Sequence, residues 1–309
     1  MTPIRSLDQL VQDLKSHPSR HLAVAAGHDP NTIQAAARAA AEDIARVTLV
    51  GDADRIRELC AEFQIDVGIF NVIDEKDTVA AGAKAVALVR SGQADVLMKG
   101  LIATSDYMKQ ILNKETGLLP EGNVLSHVSV LELPAYLKSH NKLLFVADVA
   151  IIPKPDLQTK IQILGYCLQA ARSFGVEKPR AALLAATEKV SPKMRATTDA
   201  AEITRLHLAG EVAPWAIVEG PLALDVAISP EACRIKGLDS AVGGEADILV
   251  FPNIESGNVF YKSSTLLSGA RLAAAVVGIQ APCVLTSRAD SEESKFLSIA
   301  MGCRLAHAE

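Results

Sequence analysis

The sequence predicts an α/β protein with open sheets of mostly parallel strands, on the scale of two domains. Short apolar runs alternate with helix-forming stretches from one end of the chain to the other. The runs are continuously apolar rather than alternating, as strands covered on both faces are. A length of 309 residues suits roughly two domains of about 150 residues each.

The first stretch places Ile4, Leu7, Leu10, Val11 and Leu14 at helical spacing. It has no charged leader followed by an apolar block, so it does not read as a signal peptide. Strands are expected at 21–26, 46–51, 66–73, 94–100, 125–133, 142–151, 180–187, 215–220, 246–251, 273–279 and 282–287. Helices fall between most of them. The stretch 31–42 is Ala-rich, 77–92 ends at a capping Gly92, and 156–175 starts at a capping Asp156 and stops at Gly175. Repeated β–α units of this kind build an open α/β sheet. The segment PAYLKSHNK, between the strands at 125–133 and 142–151, is too short for a helical crossover. It predicts an antiparallel pair and a domain boundary there.

Composition narrows the function. With 49% hydrophobic and 22% charged residues the chain is not disordered. A net charge of −5 with interspersed signs and 4% aromatic residues argues against nucleic-acid binding. Five cysteines, odd in number and without a CxxC pair, signal neither a disulfide framework nor a zinc site. The apolar run 272–279 is far short of a membrane span. A cytoplasmic protein with reduced thiols is expected.

Three strand–helix junctions carry the candidate chemistry. At 98–112, Lys99-Gly100 precedes a helix that Thr104, Ser105 or Asp106 can cap, with Lys99 and Lys109 adding charge. Free N–H groups and the helix dipole favour anions at such a place, although a capped helix with solvated lysines explains the same residues. At 251–270, Ser256-Gly257-Asn258 lets backbone amides approach an oxygen, with Asn253, Asn258 and Lys262 nearby. The plainer reading is a Ser256 N-cap. At 284–300, Ser287-Arg288 offers a hydroxyl and a planar fork suited to phosphate, while Ser287 to Asp290 also reads as a capping box. Asp225, His127 and Asp148 lie in or just after apolar segments, where a lone histidine is more often a hydrogen-bonded core residue. Cys167 and Cys233 read as buried fillers. No HxxxH, GxGxxG or Walker A pattern occurs, so no metal site and no nucleotide hydrolysis is signalled.

The segments VLMKGLIATSDYMKQILNKETGL, LSHVSVLELP, IVEGPLALDVAISPEA, ADILVFPNIESGNVFYKSSTLLSGARLAAAVVG and APCVLTSRADS follow one another between about residues 94 and 300. In this order they resemble the phosphate acetyl/butyryltransferase family, and LMKGLIATSDYMK with TSRADS resembles the butyryl branch. The resemblance implies two α/β/α domains with a cleft, like isopropylmalate and isocitrate dehydrogenases. One domain would be 1–124 plus 272–309 and the other 125–271. It implies the reaction acyl-CoA + phosphate ⇌ acyl phosphate + CoA by direct thiolate attack in a ternary complex. Coenzyme A is then a substrate, no other cofactor or metal is called for, and a homo-oligomer is expected. Ser287, Arg288 and Asp290 would be catalytic. Lys99, Thr104, Lys109, Asp225, Asn253, Asn258 and Lys262 would bind substrate. Two departures stand out: Lys109 replaces an arginine of the acetyl enzymes, and Ser294 stands where they carry the catalytic Asp. Asp290 is the favoured general base, with Glu293 and Asp225 as rivals. A phosphate acetyltransferase, or a silent acyl-CoA-binding regulatory paralogue, is the alternative reading.

Overall fold

The computed structural model describes residues 2–286 and 290–307. The chain forms two compact units, one from Leu7–Leu125 with Leu272–Glu309 and one from Met1–Ser6 with Ser126–Arg271.

The first unit begins with α1 (Leu7–Leu14), β1 (Arg20–Ala25), α2 (Pro30–Ala41), β2 (Ala45–Gly51) and α3 (Ala53–Glu62). A 3-10 turn at Val67–Ile69 leads into β3 (Phe70–Asp74), α4 (Thr78–Arg90), β4 (Val96–Lys99) and α5 (Thr104–Leu112). The second unit contributes β5 (Ser126–Glu132), α6 (Pro134–His140), β6 (Leu144–Ala147), α7 (Leu157–Ser173), β7 (Arg180–Leu184) and α8 (Arg195–Leu208). It continues with β8 (Ile217–Leu222), α9 (Leu224–Ile228), α10 (Pro230–Lys236), β9 (Ile248–Val250) and α11 (Ile254–Leu266). The chain then returns to the first unit for β10 (Arg271–Val277), β11 (Cys283–Val284) and α12 (Glu292–Ala306).

In the first unit the strands lie in the order β3-β2-β1-β4-β11-β10. All neighbours are parallel except β10 and β11. The chain runs outward from β1 to β2 and β3, then crosses back to place β4 on the other side of β1. This is a topological switch point, where open α/β sheets leave a crevice beyond the carboxyl ends of their strands. In the second unit the order is β5-β6-β9-β7-β8, with β5 antiparallel to β6 and the rest parallel. The expected antiparallel pair is therefore present, but its connection holds the seven-residue helix α6 rather than a plain loop.

Each predicted strand has a counterpart, and the differences lie at the ends. The apolar run 142–151 carries strand structure only over Leu144–Ala147. Asp148 ends it by folding its carboxylate back onto the next turn: Oδ1 accepts from Ala150 N and Ile151 N, both at 2.8 Å. The helix stops behave as their residues dictate. Asp156 accepts from Thr159 N at 2.8 Å, while Gly175 (φ +83°) and Gly92 (φ +73°) follow their helices in the left-handed region that favours glycine. Among the described residues no helix is long and apolar enough to cross a membrane.

Candidate active site

In the first unit the ends of β1, β4 and β11 lie side by side around the switch point. Lys99 closes β4, is buried, and donates from Nζ to the Gly100 carbonyl at 3.2 Å. Gly100 presses on the end of β1, and a Cβ there would stand 2.2 Å from the Ala26 carbonyl oxygen. Only glycine permits that approach. The helix beyond differs from the sequence expectation, because its N-cap is Ala103, with no side-chain cap bond. Thr104 and Ser105 lie inside its first turn, and Asp106 instead pairs with Lys109 at 3.0 Å. By contrast, α2, α3, α4 and α12 in the same unit all have their first amides capped by side chains. The leading N–H groups of α5 thus keep the anion-binding capacity that a capping oxygen would consume. Lys109 is exposed, so its pair with Asp106 is weak and leaves the ammonium able to swing to another anion.

The third junction also differs from expectation. Ser291, not Ser287, caps α12, accepting from Ser294 N at 3.2 Å. Asp290 therefore precedes the helix instead of sitting on its first turn. Ser287 and Arg288 lie outside the described residues. Ser294, at the position where the resemblance looks for a carboxylate, is the third residue of the helix, and its backbone N–H is spent on the cap.

In the second unit, Asn253 caps α11, where Ser256 was the expected cap. Its Oδ1 accepts from both Ser256 N and Ser256 Oγ at 2.9 Å. Asn258 Nδ2 donates to the Val149 carbonyl at 2.9 Å, and Gly257 brings the first turn against the Asp148 carbonyl, where a Cβ would stand 2.3 Å away. Both asparagines thus have structural work, with the Nδ2 group of Asn253 pointing the other way from its capping oxygen. Lys262 lies two turns in and is exposed. Asp225 opens α9 and pairs with Lys236 at 3.0 Å; that ammonium also reaches Glu188 at 3.2 Å. The hydrogen bond from Lys236 holds the Asp225 carboxyl below its ordinary range, which makes it a poor proton acceptor. His127 is the buried core residue expected, its ring Nδ1 3.3 Å from Ser129 Oγ and its N–H bonded to Asp148. A cavity of about 690 Å³ lined by Arg5, His140, Lys142, Glu177 and Asp247 lies at the amino ends of β6 and β7, the opposite strand ends from these candidates.

Sequence reading missed the loop after β1. Asp29 caps α2, accepting from Thr32 N at 3.0 Å, and its carboxylate meets Lys295 Nζ at 3.0 Å. Both charged groups are buried. Burial raises the Asp29 pKa, but the hydrogen bonds from Thr32 and Lys295 outweigh it and hold the carboxyl below its ordinary value. The signal was available in Asp29-Pro30, an N-cap followed by a proline at the first helical position. Nothing local marks Lys295 as its partner.

Comparison with known proteins gives the family. The family model for phosphate acetyl/butaryl transferase matches residues 6–83 and 76–303. Phosphate butyryltransferase of Clostridium acetobutylicum is 40% identical over 303 residues, covering 98% of this chain and 99% of that one. Phosphate acetyltransferase of Thermotoga maritima is 38% identical over 295 residues, covering 96% and 98%. Among solved structures, a branched-chain phosphotransacylase from Enterococcus faecalis V583 superposes with a TM-score of 0.81 at 34% identity, covering 93% of this chain and 99% of that one. On this evidence the chain is an acyltransferase that belongs to the phosphate acetyl/butyryl transferase family.

Proposed function

We propose that the protein interconverts a short-chain acyl-CoA and phosphate with an acyl phosphate and CoA, with butyryl-CoA as the preferred donor. The observation that carries the reading is near-full-length similarity to a phosphate butyryltransferase, joined to the branch-like segments LMKGLIATSDYMK and TSRADS. Similarity to an acetyltransferase is almost as great, so the acyl length rests on those segments. In the direction of acyl-CoA formation, the CoA thiolate attacks the acyl-phosphate carbonyl directly. The tetrahedral oxyanion collapses with loss of phosphate, and no acyl-enzyme forms. Such a site must align two anionic substrates, favour the thiolate and stabilise the oxyanion. Ser287 and Arg288 take the last two tasks. The uncapped amides of α5, with Lys99, Thr104 and Lys109, supply an anion site, and Asn253, Asn258 and Lys262 contribute donors at the start of α11. A CoA thiol has a pKa near 8.5, so a base helps at neutral pH. Asp290 is the proposed base. Asp225 is the weaker alternative, since Lys236 already holds its carboxylate.

The test is CoA release from butyryl-CoA and phosphate, run beside acetyl-CoA. Two further methylenes, each about 0.8 kcal/mol when buried, give roughly tenfold discrimination in a fitting pocket. Equal or better efficiency with acetyl-CoA defeats the butyryl assignment. Arg288→Ala is expected to lose about 100-fold or more in turnover while staying folded. Near-normal turnover removes Arg288 from the mechanism. Absence of acyl-dependent CoA release with either donor favours the silent regulatory reading.

A further inference from the structure

The seam between α2 and α12 is laced by more polar contacts than two packed helices need. Asp29 and Thr32, on the first turn of α2, both hold Lys295 Nζ, at 3.0 and 3.2 Å. Asn31, on the same turn, donates from Nδ2 to the main-chain carbonyl of Asp290 at 3.3 Å. Further along, the Arg38 guanidinium lies 3.8 Å from the Phe296 ring centroid and 3.7 Å from the Glu292 carboxylate. The contacts divide by kind. Arg38 touches only side chains of α12, those of Glu292 and Phe296, whereas Asn31 holds the main chain at Asp290, just before the N-cap Ser291, and Asp29 and Thr32 hold Lys295 in the helix.

A buried ion pair is a costly way to stabilise a seam, because apolar residues of similar volume usually do as well or better. Its attested use is to fix register. Here the register being fixed is that of the backbone entering α12 at Asp290. A backbone held at Asp290 by a hydrogen bond to its carbonyl, with a buried charge pair one turn later, has little freedom to slide along the helix axis.

We infer that Asp29, Asn31 and Lys295 are positioning residues for acyl transfer, holding the backbone at Asp290, the proposed base, in register with α12. The inference rests on the acyl-transfer reading above. It assigns no contact with substrate to any of the three.

Asn31→Ala removes one partly exposed hydrogen bond and leaves the helix cap to Asp29 intact. Its thermal midpoint should stay within about 2 °C of wild type, and kcat should fall about tenfold with KM for acyl-CoA and for phosphate within twofold, since a misplaced catalytic group costs turnover rather than binding. Arg38→Gln should show the reverse, a lowered midpoint with kcat unchanged. Lys295→Met strands a buried carboxylate and is expected to unfold readily. The pair variant Asp29→Asn with Lys295→Met removes both charges and should recover much of the midpoint but not kcat. The inference is overturned if Asn31→Ala keeps wild-type kcat in an active enzyme, or if Arg38→Gln and Asn31→Ala lower kcat alike, which would make general seam packing the cause. If the wild-type enzyme forms no acyl phosphate, the reading beneath it fails first, and this inference falls with it.

Discussion

Asp148 offers the sharpest test of how the second unit is held. Its carboxylate is 3% exposed and accepts four hydrogen bonds. Oδ2 takes Ser126 Oγ at 2.9 Å and His127 N at 3.0 Å, and Oδ1 takes Ala150 N and Ile151 N at 2.8 Å. In Asp148→Asn one oxygen becomes an NH2 group, which cannot accept. The amide will place its nitrogen on the Oδ2 side, because the Ser126 hydroxyl can turn to accept while backbone N–H groups cannot. One buried N–H, that of His127, then loses its partner, and the remaining bonds lose their charge. At about 1–3 kcal/mol for an unsatisfied buried donor, plus the weakening of two charge-assisted bonds, the expected loss is about 3 kcal/mol. Asp148→Ala strands three N–H groups and should cost more. The assay is urea unfolding followed by tryptophan fluorescence, since the single tryptophan, Trp215, lies in the second unit beneath the Arg172 guanidinium. The midpoint should fall at unchanged slope. A loss below about 1 kcal/mol for Asp148→Asn would refute the four-bond account. The same substitution should also reduce activity, because Gly257 and Asn258 seat α11 on the main chain at Asp148 and Val149.

Gly100→Ala drives a Cβ to 2.2 Å from the Ala26 carbonyl oxygen and 2.8 Å from that of Ala25. Backbone atoms cannot yield, so a loss of about 3 kcal/mol is expected in thermal or urea unfolding, at the upper end for overpacking; a loss near zero would mean that β1 and β4 part freely. All five cysteines are buried, and burial raises the Cys167 and Cys283 thiols and pushes Cys303 up to about 12. The native enzyme should therefore react slowly with a thiol-specific dye and release five equivalents on unfolding; a fast native equivalent would contradict this burial. The folded pKa of Asp29 lies below its ordinary value, so its contribution is fully present above an unfolded pKa of about 4 and is lost as pH falls through the lower folded value. Acid titration of stability should show this loss in the wild type, and Asp29→Asn should flatten it; identical acid profiles would show that the carboxylate is not held by its partners.

Much of the fold was legible because parallel strands buried on both faces write themselves as plain apolar runs. What periodicity could not give was where those runs stop. Val149, Ala150 and Ile151 look like more strand, yet Asp148 has already turned the chain, and a lone aspartate reads the same in a strand and in a clamp. Caps were found where the capping side chain abuts an obvious helix, as at Asp156. They were misplaced where several small polar residues compete, as at Thr104 and Ser105, at Asn253 and Ser256, and at Ser287 and Ser291. The junctions themselves were legible as strand ends before helices. The seam behind one of them was not, because Lys295 reads as an ordinary helix lysine and its partner Asp29 lies 266 residues away.

The interleaving of the two units has a consequence for the chain as it leaves the ribosome. β4 is bordered by β1 on one side and β11 on the other, and β11 is made only after the whole of 126–271. Throughout synthesis of the second unit, the first presents β4 as a bare edge of buried-type residues, the kind of edge that recruits other strands. The N-terminal strap has the opposite problem. Ile4 N donates to the Phe174 carbonyl at 2.8 Å, so the earliest residues must wait for a partner at the end of α7. A nascent chain of this protein therefore spends most of its synthesis with an unfinished sheet and an unplaced tail, the stage at which holdase chaperones would matter most.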